Sequence, residues 1–378
     1  MWIYNCTFLL SVLFFCFVSP QKNAKQIENY VCTIKNSSLK INRVALATLL
    51  ASIPPMFISA VRYQVGTDYV ATYYTGFYRV LEGSRRDKFE VGYYWINRII
   101  QYFTDNVFYL FIITSVIFVG VSFKAIYELS SNIPLSIILF FVTRYYFVGM
   151  NGVRQFIAIA ILTYSIRFVV EKNPKKYILC MLVAISVHYS SILFIPVYYL
   201  RNLKIPKRKL FAFIGIDICV FTIGMSIIIS ILSNTKYGRL LTSHEVCGWK
   251  FTIFTIAINI LILLVSYKNY SKRSSDIKYC VYLNIQVVCL LITLVLRTIP
   301  LMERVYWIYS FPIIVTLPYL LEGIQKKAIR RGVTFLILII FAVYMFYDIG
   351  VLSDHGAIPY QWIFGKIPIH DSGWRWYR

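Results

Sequence analysis

The sequence predicts an all-α polytopic integral membrane protein, a single domain over residues 1–378 with about ten transmembrane helices and one re-entrant hairpin. Three observations carry that prediction. Hydrophobic residues make up 58% of the 378 and the mean hydropathy is +0.65, outside the range of soluble domains. The apolar residues fall in runs long enough to cross about 30 Å of hydrocarbon at about 1.5 Å per residue. The net charge of +23 is gathered in short loops between those runs. That is the positive-inside pattern, so the charge reports topology and argues against a nucleic-acid surface.

The elements follow in order. Trp2–Val18 is apolar, with no Lys or Arg in Met1–Asn5. It therefore reads as an N-out anchor rather than a secretory leader. Lys22, Lys25, Lys35, Lys40 and Arg43 then mark a cytoplasmic loop. Residues 44–61 form the second span, and Pro54-Pro55 free backbone carbonyls that something polar must satisfy. Residues 62–106 form an outer loop holding Arg62, Asp68, Arg79, Glu82, Arg85, Arg86, Asp87, Glu90 and Arg98. Within it Val91–Phe103 is aromatic and amphipathic, an interfacial helix rather than a span. Residues 107–123 return inward, and residues 133–150 go out carrying Arg144. Residues 156–170 come back to the basic loop 171–176.

The loop after residues 177–200 is also basic, with Arg201, Lys204, Lys207, Arg208 and Lys209. Two basic loops flanking one apolar run break the alternation. A re-entrant hairpin turning near His188-Tyr189-Ser190-Ser191 restores it, and an ordinary span with an uneven charge bias is the alternative. Spans at 210–232, 249–267, 279–296, 305–321 and 332–347 complete the bundle, with residues 348–378 as an outer tail.

The organising stretch is Asn151-Gly152-Val153-Arg154-Gln155, between two apolar runs. A charge at membrane depth costs about 2.5–3.5 kcal/mol on insertion scales. It needs a partner or a task, and an Arg at a helix start suits an anion. A snorkelling Arg at a helix end is the plainer reading. By alternation Arg62, Asp68, Glu90, Arg154, Arg297, Glu303 and Arg304 share the outer side, with His188 reaching toward them. Arg holds phosphate bidentately, carboxylates orient or accept protons, and His transfers protons near neutrality. Each signal alone has a plainer reading. Asp68 suits a turn after Gly66, Glu303-Arg304 suits an ion pair at a helix start, and His188 suits a core His bonded to a carbonyl.

Eight cysteines are scattered without a CxxC or CxxH. No zinc site or disulfide framework is expected. Walker A, GxSxG, HExxH, GxGxxG and DxD elements are missing from the sequence, so no cofactor and no metal are expected, nor a cytoplasmic sugar-nucleotide donor. Any group transfer would draw on a lipid-linked donor already outside.

Five blocks resemble the EpsG family, a branch of the Wzy-type exopolysaccharide polymerases. They are RYQVGTDYVATY from Arg62, EVGYYWINRII from Glu90, NGVRQFIAIA from Asn151, VHYSSILFIPVYYL from Val187 and ERVYWIYSFPIIVTLPYL from Glu303. The resemblance implies an enzyme, a glycosyltransferase-type polysaccharide polymerase of the bacterial inner membrane. It would join undecaprenyl-pyrophosphate-linked oligosaccharide repeats into exopolysaccharide, capsule or O-antigen at the outer face. On that reading Arg62, Arg154, Gln155, Arg297 and Arg304 bind substrate, and Asp68, Glu90 and His188 are the catalytic candidates, undecided among themselves. Its partners would be the bilayer and the pathway's chain-length regulator and flippase. Two other classes stay open. A flippase of the same lipid-linked units would show internal repeats and charges through the membrane depth. A membrane acyltransferase would pair its His with an acid, whereas His188 stands alone.

Overall fold

The computed structural model describes residues 1–19, 42–83, 89–232, 246–298 and 301–364. The loop cations Lys22, Lys25, Lys35 and Lys40, and Arg85, Arg86 and Asp87 of the outer loop, lie outside the described residues, as does the tail beyond 364. Every regular element among the described residues is helical. Among the described residues six helices are long and apolar enough to cross a membrane, or eight if each of two bent pairs is one span. The expected count of about ten is not confirmed by the described residues. The Trp2–Val18 helix is 17 residues long against 18 in the shortest of the six.

The chain divides into two compact units, Met1–Gly120 with Tyr146–Val153 and Tyr347–Arg378, and Val121–Tyr145 with Arg154–Phe346. In the first, Trp2–Val18 lies along Arg43–Ala60, and the buried Ser11, Ala47 and Ala51 let the two backbones approach. Asn42 caps the second helix, accepting from Val44 N and Ala45 N. That helix runs through Pro54 and Pro55 without interruption. Pro55 cannot donate to the Ala51 carbonyl, and the Ser11 hydroxyl takes that carbonyl instead at 2.5 Å. Tyr146 Oη donates to the Pro55 carbonyl at 3.0 Å.

The described residues of the 62–106 loop are built rather than open. They hold a π-helical turn at Tyr69–Tyr74, the Thr75–Leu81 helix and the Val91–Phe103 helix. Tyr93, Asn97 and Ile100 face inward, while Val91, Trp95, Ile99, Tyr102 and Phe103 are exposed. The exposed stripe is apolar, as an interfacial helix requires. The tail also docks. Residues 361 and 363 pair with 63 and 61 through Tyr63 N to Gln361 O at 2.8 Å and Ile363 N to Val61 O at 2.9 Å. Tyr360 Oη donates to Ile58 O, and Tyr4 Oη to Ala357 O, each at 2.8 Å.

In the second unit Ile277–Leu294 is largely enclosed by its neighbours, and polar side chains tie it to them. Asn284 donates to Leu200 O and Leu203 O at 2.7 and 2.9 Å. Gln286 donates to the Asn259 amide oxygen, and Tyr282 Oη to Leu129 O at 3.1 Å. With no water in the hydrocarbon, such bonds hold helices together as glue.

Two expected spans are broken. The 133–150 run divides into Ile133–Val142 and Tyr145–Asn151, with Arg144 between them at φ 64°. The 305–321 run divides into Met302–Ser310 and Ile313–Leu321, bent by 48° at Pro312, which cannot donate to the Ile308 carbonyl. The 177–200 run breaks too. Pro174–Val187 ends at an extended His188 (φ −153°, ψ 117°), a 3-10 turn spans Tyr189–Phe194, and a short helix follows at Val197–Leu200. Tyr177 Oη donates to Phe194 O at 2.7 Å, so the second arm lies back against the first.

Candidate active site

The stretch Asn151–Gln155 serves both units. Asn151 ends the Tyr145–Asn151 helix in the first, while Arg154 and Gln155 open the Val153–Val170 helix in the second.

In the first unit Arg62 lies directly after a membrane helix and is 1% exposed. Its fork donates to the Ser59 carbonyl and hydroxyl, to Ser115 Oγ at 3.1 Å and to Met150 O at 3.3 Å. Its guanidinium lies 4.9 Å over the Phe111 ring. Burial lowers its pKa from the ordinary arginine value. Both terminal nitrogens of the Arg62 fork, expected from the sequence to bind substrate, are bonded to the chain's own oxygens, while Nε has no hydrogen-bond partner among the described residues.

Asp68 is half-buried on the next turn. Its backbone N–H donates to Asn151 Oδ1 at 2.8 Å, and its carboxylate accepts from Thr72 Oγ1 at 3.3 Å. Thr67 Oγ1 donates to the same Asn151 oxygen at 3.1 Å. Asn151 Nδ2 meets His355 Nδ1 at 3.2 Å, a contact on the docked tail that sequence reasoning missed. Glu90 is buried at the N-cap of Val91–Phe103, with its carbonyl accepting from Tyr94 N.

In the second unit the starts of two helices meet. Gln155 is buried, and its Nε2 donates to the Arg304 carbonyl at 2.7 Å. Arg304 itself is exposed. Glu303 lies 3.5 Å from Arg144, which is buried and stacked 4.8 Å over Phe251 and 5.4 Å over Tyr344. Arg297 donates to the Cys247 carbonyl at 2.8 Å and lies 3.9 Å over Trp249. Burial and the neighbouring Glu303 carboxylate push the Cys247 thiol up to about 12, so it stays protonated. Arg144, Arg297, Glu303 and Gln155 thus interlock around the Met302–Ser310 start. Arg144 was visible in the sequence only as a charge inside an apolar run and Glu303 only as the neighbour of Arg304; their pairing with each other was not.

His188 is half-buried at the turn of the 174–200 segment. The turn after it is tied to Met302–Ser310 by Tyr309 Oη, which donates to Leu193 O at 2.6 Å. Among the described residues no three His, Cys, Asp or Glu side chains are grouped to hold a metal.

Helices that can cross a membrane, and charged side chains gathered at helix starts, define a polytopic membrane protein with a polar site. The chain belongs to the EpsG family, whose family model matches residues 45–362. This is the family of Wzy-type exopolysaccharide polymerases, and membership points to polysaccharide polymerisation, a glycosyltransferase-like activity on a substrate in the bilayer. No curated protein and no solved structure matches the chain.

Proposed function

We propose that the chain joins oligosaccharide repeats carried on undecaprenyl pyrophosphate into exopolysaccharide, capsule or O-antigen at the outer face of the bacterial inner membrane. The observation that carries the reading is the Gln155–Arg304 bond, which brings the starts of two arginine-bearing helices together. Helix N-termini carry partial positive charge, and Arg154 and Arg304 add two full ones. That suits a pyrophosphate leaving group.

In the proposed step a hydroxyl oxygen of the incoming repeat attacks C1 of the growing chain. The C1–oxygen bond to pyrophosphate breaks, and the lipid pyrophosphate leaves with the electron pair. Arg154 and Arg304 stabilise the charge that develops on it. The hydroxyl proton passes to a carboxylate or imidazole. The candidates are Asp68 and His188, both half-buried, and Glu90, which is buried. Arg297 supports the cluster through Cys247. The pathway's flippase and chain-length regulator are the expected partners.

The test is the surface glycan of a strain lacking the gene, complemented with wild type, Arg154→Ala or Arg304→Ala. Loss of long chains with single repeats still exported supports the reading. Repeats trapped on the cytoplasmic side would move the assignment to transport. Full-length polymer in both variants would remove the pyrophosphate role from these arginines.

A further inference from the structure

The docked tail places His355 against the loop that carries Asp68. Four backbone hydrogen bonds hold the tail to residues 61–67, two of them Gly66 N to Gly356 O at 2.9 Å and Thr67 N to His355 O at 3.2 Å. The tail's turn is tight, with Ser353, His355 and Gly356 all at positive φ, at 52°, 59° and 64°. Such conformations are retained where surrounding contacts over-determine them. What they deliver here is an imidazole to the Asn151 amide.

The hydrogen bonds fix which atoms do what. The Asp68 backbone N–H can only donate, so the Asn151 atom 2.8 Å away is the carbonyl oxygen. The other end of that amide is then NH2, which can only donate. His355 Nδ1, 3.2 Å from it, must therefore accept, and the neutral ring carries its proton on Nε2. Nε2 faces the Asp354 carboxylate at 3.5 Å, and Asp354 Oδ1 accepts from His355 N at 2.9 Å. The imidazole is thus held through Nδ1, with Nε2 near the Asp354 carboxylate but not hydrogen-bonded to it, and the Asn151 amide has one orientation.

We infer that His355 is a positioning residue for Asp68. By accepting from Asn151 Nδ2 it locks the amide so that Oδ1 faces Thr67 and Asp68. The outer tail thereby sets where the Asp68 carboxylate stands when a saccharide hydroxyl arrives. The inference rests on the polymerase reading and adds to it a residue more than 280 positions from the one it orients.

The test uses the full-length chain in its host membrane, comparing His355→Ala, His355→Asn, Asn151→Ala and the Asn151→Ala/His355→Ala pair. Immunoblots normalise for protein in the membrane, and gels read surface glycan length. The Asn side-chain oxygen takes the place of Nδ1 and accepts as it does. His355→Ala is expected to cut long-chain polymer per unit protein by about 10- to 100-fold, the scale of a small misplacement of a reacting group. His355→Asn should restore most of it, and the pair should be no worse than Asn151→Ala alone because both act through one amide. Long chains at the wild-type level in His355→Ala, or His355→Asn as defective as His355→Ala, would overturn the positioning role. If the strain lacking the gene still makes polymer, the polymerase reading itself fails, which the null strain reports separately.

Discussion

The side chain of Gln155 donates to the backbone carbonyl of Arg304 at 2.7 Å, joining the first turns of two helices 149 residues apart in sequence. The bond is partly buried and spends the neutral member of the Arg154-Gln155 pair on structure. Replacing Gln155 with Met keeps the bulk and removes the donor. The loss should be about 0.5–1.5 kcal/mol, the net value of one such bond, visible as a lower unfolding temperature in detergent. Surface polymer should shorten although Arg154 and Arg304 are both present. Unchanged chain length would show that the link is not needed to place them.

Arg62 separates a structural role from a substrate role. Its donors go to Ser59, Ser115 and Met150 inside the first unit. Arg62→Met should cost about 1–3 kcal/mol for each polar group left facing the gap. Arg62→Lys should not rescue it, because a point ammonium cannot reproduce the planar fork. Membrane protein detected by immunoblot should fall in both variants, while the surviving protein makes chains of normal length. Normal protein levels with short chains would return Arg62 to the binding site.

Gly66 and Gly356 meet backbone to backbone at the tail dock, at φ 108° and 64°. A Cβ on Gly356 would lie 3.2 Å from Thr67 N. Either residue changed to Ala should cost about 1–2 kcal/mol from the left-handed backbone. The tail should then be cut faster by protease added outside. Equal cleavage of wild type and both variants would mean the dock does not depend on these turns.

The 174–200 segment is expected to enter and leave the membrane on one side, given the Tyr177 to Phe194 bond and the basic loops at both ends. Single cysteines at Asn173 and Asn202 should then react with an impermeant maleimide from the same side. Labelling from opposite sides would make the segment a full crossing.

The exposed stripe Val91, Trp95, Ile99, Tyr102 and Phe103 should lie in the bilayer interface. A spin label at Ile99 in vesicles should relax more with oxygen than with a water-soluble nickel chelate, and a label at Asn97 should not show that preference. A label at 99 dominated by the nickel chelate would place the helix in water.

Much of this protein was legible along the chain because the signals are local. Apolar run length and the basic loops gave a helical membrane protein. The Trp249–Tyr267 helix begins and ends where its apolar run does, and the amphipathic pattern marked Val91–Phe103 as a helix. The double proline announced a carbonyl in need of a donor, but nothing local says that Ser11 supplies it. The break at Pro312 was open to the same reasoning and was missed, while the break at Arg144 needs a left-handed residue that sequence does not announce.

The candidate site divides in the same way. Charged residues at apolar boundaries marked Arg154, Arg304 and Asp68, because a charge at membrane depth is costly enough to need a reason. The tertiary structure alone decided what each one touches. It enclosed Arg62 among backbone and serine hydroxyl oxygens, paired Arg144 with Glu303, and folded the tail back so that His355 meets Asn151. Composition and periodicity record which residues must leave water. Which partners they find depends on packing between segments far apart in the chain.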